Sequence, residues 1–220
     1  KDQEKADKIM DKIDIHIYEK DNIISAITDI EISLDNIDFS IDYFIKMPED
    51  LEIDLSNKFG SVIINKLTGI AKITVEYGSL QATSLDNVEF GKGFVNIAYG
   101  SGNIKYCNKL DLSVKYSALE IEKSDIMSLQ IRFSSANIGF VKTLKADSKY
   151  DNIVINTVET LNLTSKFSNV EIESLNKALD LGFEYGNFEI ANVKDGFDFI
   201  KVNNKYGDIK IDRDLNVLIF

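Results

Sequence analysis

From about residue 58 onward, apolar and polar residues alternate in short runs that return in the same phase. The clearest marker of phase is an aromatic residue followed by Gly or a small polar residue. It recurs as Lys58-Phe59-Gly60-Ser61, Glu76-Tyr77-Gly78-Ser79, Ala98-Tyr99-Gly100-Ser101, Lys115-Tyr116-Ser117-Ala118 and Arg132-Phe133-Ser134-Ser135. It continues as Lys149-Tyr150-Asp151-Asn152, Lys166-Phe167-Ser168-Asn169, Glu184-Tyr185-Gly186-Asn187 and Lys205-Tyr206-Gly207-Asp208. The spacings between successive rings are 18, 22, 17, 17, 17, 17, 18 and 21 residues. A fixed internal period decides the fold before any local propensity does.

With the ring as position zero, position three holds Val62, Leu80, Gly102, Leu119, Ala136, Ile153, Val170, Phe188 and Ile209. Position five holds Ile64, Ala82, Ile104, Ile121, Ile138, Ile155, Ile172, Ile190 and Ile211. The residue between them is mostly polar, as in Glu120, Asn137, Glu171, Glu189 and Lys210. This period-two alternation predicts a strand with one face buried. Further apolar positions at eight and near 11, 13 and 15 complete the repeat, which reads as strand, turn, strand, turn. Some 17 residues cannot hold a βαβ unit, which needs about 30. The predicted fold is therefore all-β: a single-stranded parallel β-helix, or β-solenoid, of about nine coils of 17–22 residues. Its connections are right-handed by strong default. Coils about 4.8 Å apart would give a rod of roughly 43 Å.

The two long spacings predict loops that bulge from a coil, at Phe90-Gly91-Lys92-Gly93 and Lys194-Asp195-Gly196. Residues 1–55 lack the ring signature. Their alternating runs at 13–17, 30–34 and 37–41, and a strand Leu51–Leu55 after the turn at Pro48, are expected to lead into the solenoid and cap it. Residues 56–220 form the regular coils, in one continuous domain. The chain begins without Met, as expected of a mature or trimmed form, and its last residues stop within a coil, as expected either of an edge open to a partner or of a protein that continues.

Composition agrees with strands and tight turns: β-branched residues with Asn, Asp, Ser and Gly, one Pro and no Trp. The net charge of −11 argues against nucleic acid and anionic membrane as partners. No apolar stretch is long enough for a transmembrane helix.

Candidate chemistry is sparse, and no catalytic residue, metal ligand or cofactor site is expected. His16 is the only histidine and alternates with Ile15 and Ile17, so it faces solvent on a strand. Cys107 stands where other coils carry Leu or Val, as a small buried hydrophobe. Glu120, Glu122, Glu171, Glu173 and Glu189 share an outward face with Lys105, Lys210, Asn103 and Asn137, which reads as solvated surface. The residue before the ring is basic in six coils, a column of like charges that should repel weakly and could attract an acidic polymer. Asn152, Asn169, Asn187 and Asp208 could form a side-chain ladder. The glycines beside the rings read as turn residues. The column Phe59, Tyr77, Tyr99, Tyr116, Phe133, Tyr150, Phe167, Tyr185 and Tyr206 is expected to stack from coil to coil, within or at the edge of the core.

The Lys-Tyr/Phe-Gly/Ser-x-aliphatic-x-Ile units, with Asn57-Lys58-Phe59-Gly60-Ser61 following Pro48-Glu49-Asp50-Leu51, resemble the bacterial adhesin-type family of β-solenoid domains over roughly residues 40–220. In outline they are also similar to the auto-transporter adhesin head family. The resemblance implies a right-handed β-helix, export to the periplasm or an anchored, lipoprotein-like place at the cell surface, and binding to a protein or glycan there. It brings no catalytic residues. A self-assembling β-helix joined end to end, and a polysaccharide-binding or polysaccharide-active one, are the alternative readings.

Overall fold

The computed structural model describes residues 4, 7, 10–21, 23–30, 40–87 and 91–212. The chain divides into two compact units, Lys1–Lys46 and Met47–Phe220.

The first unit contains an antiparallel hairpin of β1 (Ile13–Lys20) and β2 (Ile23–Ile30), in register from Ile13 opposite Ile30 to Lys20 opposite Ile23. The alternating run at 13–17 lies in β1, and His16 is exposed there as expected. The runs at 30–34 and 37–41 fall mostly outside the described residues.

The second unit is a parallel β-solenoid. Its first coil is β3 (Ile53–Lys58) and β4 (Ser61–Leu67), so regular pairing starts at Ile53 rather than at Leu51. There follow β5 (Ala71–Glu76), β6 (Ser79–Leu85), β7 (Gly93–Ala98) and β8 (Ser101–Lys115). Next come β9 (Ala118–Arg132), β10 (Ser135–Lys149), β11 (Asn152–Val193) and β12 (Phe199–Ile211). Every coil-to-coil pairing is parallel. Nine ring-bearing corners lie among the described residues.

The register repeats the sequence period. Leu119 pairs with Ala136 and Ala136 with Ile153; Ile121 pairs with Ile138 and Ile138 with Ile155. Equivalent positions thus form inward columns. The core holds Leu80, Ile104, Ile121, Ile138, Val141, Val158, Leu175 and Ile190, each at most 1% exposed. A single coil has no second layer of its own to bury these residues; its neighbours along the axis supply it.

The expected strand–turn–strand–turn plan is modified. Within a coil the backbone stays in strand conformation almost all the way round, from β8 to β10 in runs of 15 residues. Pairing skips only positions such as Gly139 and Lys142, where the strand bends. The one tight turn per coil sits at the ring. Ladder hydrogen bonds run between coils rather than within them, so a strand can bend without losing its partners.

Of the expected bulges, Lys194-Asp195-Gly196 is a turn between β11 and β12, with Gly196 at φ +78°. The other joins β6 to β7. Residues 88–90 of it lie outside the described residues, and Gly91 takes φ +115°. Asn87 is buried at its base. Its amide donates to Lys109 O at 3.0 Å and accepts from Lys109 N at 3.4 Å, standing in for a missing stretch of backbone.

Candidate functional surface

The corner is where the sequence and the backbone disagree in an instructive way. The left-handed residue is the aromatic itself: all nine rings have φ between 51° and 62°. Left-handed backbone disfavours a bulky L-residue, at about 1–2 kcal/mol each. Of the glycines that follow the rings, only Gly186 has a left-handed φ. Gly78 and Gly100 serve close approach: a Cβ on Gly78 would lie 2.0 Å from Gly60 O, and one on Gly100 2.0 Å from Gly78 O.

In the middle coils Ser or Asp replaces Gly and forms a polar seam. Ser117 Oγ donates to Lys115 O at 2.7 Å, Ser134 Oγ to Arg132 O at 2.7 Å and Ser168 Oγ to Lys166 O at 3.0 Å. Each bond spans a left-handed ring residue. The same side chains accept from the preceding coil: Gly100 N to Ser117 Oγ, Ser117 N to Ser134 Oγ, Ser134 N to Asp151 Oδ1 and Asp151 N to Ser168 Oγ, at 2.9–3.1 Å.

Asp151, which the sequence reading did not single out, is the most buried carboxylate of the described chain at 5% exposure. It accepts from Ser134 N, from Ser148 Oγ at 2.7 Å and from Lys149 N at 2.5 Å. Burial raises its pKa, and those three donors only partly oppose the shift. The signal was present in the sequence as Ser148 and Ser165, two buried serines standing where neighbouring coils carry Val114 and Ile131.

The rings stack as expected, with centroids 4.8–5.3 Å apart along the whole column and planes within 21° of parallel. Their place differs from the expectation. They stand outside the core: Phe59 and Tyr206, at the ends of the column, are 71% and 73% exposed, and the seven between are 39–51% exposed. The left-handed turn throws the Cβ outward, so the column packs on itself. Stacking also hides the ring faces, leaving edges to solvent. A sugar platform needs a ring face, so the inner rings are poorly disposed for one.

The basic column beside the rings is largely engaged. The ammonium groups of Lys58, Lys149 and Lys205 lie 5.2–5.8 Å from ring centroids, Lys166 pairs with Glu184 at 2.9 Å, and Arg132 pairs with Asp147. The expected repulsion is thereby interleaved with opposite charge. The amide ladder is present where Asn187 Nδ2 donates to Asn169 Oδ1 at 3.1 Å.

Two polar surfaces remain. On one, Asp125 gathers Lys142 Nζ at 2.6 Å and Tyr106 OH at 3.0 Å, from the coils on either side. The Lys142 ammonium chiefly holds its carboxyl below the usual range. On the other, positions two, four and six after the ring form a shallow open trough of about 890 Å³ across six coils, from Ile63 to Val154. Its lining includes Ser79, Gln81, Ser101, Asn103, Ser135 and Asn137, with Lys105 and Glu120 as its charged groups. Asn103 donates to Glu120 at 2.8 Å. Small residues stand at position two along most of it, as at Ser79, Ser101, Ala118 and Ser135.

Cys107 is buried, and burial pushes its thiol up to about 11, so it is a packing residue. Among the described residues no three His, Cys, Asp or Glu side chains gather as a metal site, and no helix is long and apolar enough to cross a membrane. Comparisons with family models, with curated proteins and with solved structures return no match for this chain.

Proposed function

We propose that this solenoid is a non-catalytic binding scaffold of the adhesin type, exported to the cell envelope, that takes an extended neutral glycan along its concave trough. The observation that carries the reading is the lining of that trough: hydroxyl and amide groups from four of its six coils, with Lys105 and Glu120 as its charged groups on a protein of net charge −11. Hydroxyls and carboxamides both donate and accept, which matches the mixed hydrogen-bonding edges of a sugar chain. Small-molecule sites are mostly enclosed, and this surface is open. A polymer laid along the axis would pass from one coil's groups to the next about every 4.8 Å. The envelope setting rests on the resemblance of the Lys-aromatic-Gly/Ser units to adhesin-type domains.

The test is a glycan array spanning neutral, acidic and basic chains, read with the wild type and with an Asn103→Ala/Asn137→Ala double variant. Both side chains are exposed, so the variant should fold. Neutral extended glycans should be retained, with about tenfold weaker binding by the variant if each lost hydrogen bond is worth about 0.7 kcal/mol. Retention of no glycan, a preference for acidic polymers that fades with salt, or equal binding by the variant would overturn the reading.

A further inference from the structure

The stacked column is not uniform in chemistry. Tyr77, Tyr99 and Tyr116 are three consecutive phenols, with centroids 4.9 and 5.1 Å apart and planes within 5° of parallel. Tyr185 and Tyr206 are a second run, 5.3 Å apart at 18°. Phe133 and Phe167 interrupt the column on either side of Tyr150, which therefore has no phenol as a stacking neighbour. All these tyrosines are partly exposed, so their edges are open to a reagent while neighbouring rings are held in place.

We infer that Tyr77–Tyr99–Tyr116 and Tyr185–Tyr206 are sites of oxidative tyrosine coupling that can join adjacent coils covalently. The oxidant required is of the peroxidase and hydrogen peroxide class. Each of two neighbouring phenols gives up one electron and its hydroxyl proton, leaving a radical whose unpaired electron reaches the ring carbons beside the oxygen. Two such carbons on adjacent rings pair their electrons in a new C–C bond. Each ring regains aromaticity as the hydrogen on that carbon passes to its own oxygen. One peroxide takes up the two electrons and two protons and leaves as two waters. The protein loses two hydrogens per link.

The fold supplies the positioning. Holding two reactants side by side turns a collision between chains into a local step with a high effective concentration. The links would close loops of 22, 17 and 21 residues, between 77 and 99, 99 and 116, and 185 and 206. Closing loops of this size restricts the unfolded chain as a disulfide does, in a sequence whose single cysteine cannot form an internal one.

The test treats dilute folded protein with peroxidase and limiting peroxide, then maps cross-linked peptides by mass spectrometry. The expected products are monomers two hydrogens lighter per link, with links confined to 77–99, 99–116 and 185–206 and a higher denaturant midpoint. Denaturing the chain before oxidation should scatter the links to Tyr18, Tyr43, Tyr106 and Tyr150. A Tyr99→Phe variant keeps a stacking ring and should retain only the 185–206 link. The inference is overturned if folded and unfolded chains give the same links. It also fails if links in the folded chain favour Tyr106 or Tyr150, if coupling is mainly between chains, or if Tyr99→Phe leaves the pattern unchanged.

Discussion

At the scale of single residues, the corner trades backbone strain against stacking. An aromatic in left-handed conformation costs about 1–2 kcal/mol, and a stacked pair returns about 0.5–1.5 kcal/mol beyond its buried area. These nearly cancel, so the serine bonds that span the turn help decide the balance. Tyr116→Ala forfeits the stack and keeps the strain, whereas Tyr116→Gly forfeits the stack and relieves it. The glycine variant should be the more stable of the two by about 1 kcal/mol or more in denaturant titrations. That order reverses the usual preference for Ala over Gly within regular strands, and the usual order would show that the corner is unstrained. Asp151 has a different signature. Its pKa is raised in the fold, so it is protonated in both states at acid pH, and the unfolded chain ionises first as pH rises. Its contribution to stability is therefore full below the ordinary carboxylate range and falls as pH climbs through the folded value. Melts taken from acid toward neutral pH should show this fall in the wild type and its loss in Asp151→Ser, which keeps a hydroxyl acceptor at the seam. An unchanged pH profile in the variant would remove Asp151 as the cause.

At the scale of elements, each coil's seam borrows from the next. Ser134 Oγ is the acceptor for Ser117 N and also donates across its own turn. Ser134→Ala should cost about 1–3 kcal/mol, the penalty for stranding a buried N–H, and Ser134→Asp should recover part of it because Asp151 fills that role one coil later. Equal stability of the alanine variant and the wild type would show that the seam bonds contribute nothing net. Much of this level was legible in the sequence. Positions three and five were identified as buried by alternation alone, because a stacked coil repeats one environment at each position. The outward-facing Asn103, Glu120 and Asn137 were legible for the same reason. Three things were not. Tyr and Phe are poor signals of left-handed backbone, so the glycine beside them took the blame for the turn. Asp151 sits in a column of Gly and Ser, where one acidic residue looks like solvent-facing turn chemistry. The basic column looked self-repelling because its partners, Glu184, Asp147 and the rings, lie in neighbouring coils or across the corner.

At the scale of the solenoid as a whole, the repeat makes one long surface out of many weak elements. Cross-coil ion pairs such as Lys72–Asp54 at 2.5 Å and Lys210–Glu189 at 2.7 Å are exposed and contribute little each. The buried columns carry the stability. The trough is made by residues from six coils, an effect of geometry across coils that no single repeat displays. The central functional claim is that this trough binds a chain by repetition. The most direct measurement titrates the protein with neutral oligosaccharides of increasing length, drawn from the chains the array retains, while following backbone amide shifts. Affinity should rise with each added sugar until the six coils are spanned, with shifts confined to positions two, four and six from Ile63 to Val154. Affinity that is already complete with one or two sugars, or shifts centred on the Asp125 face or the ring column, would contradict it.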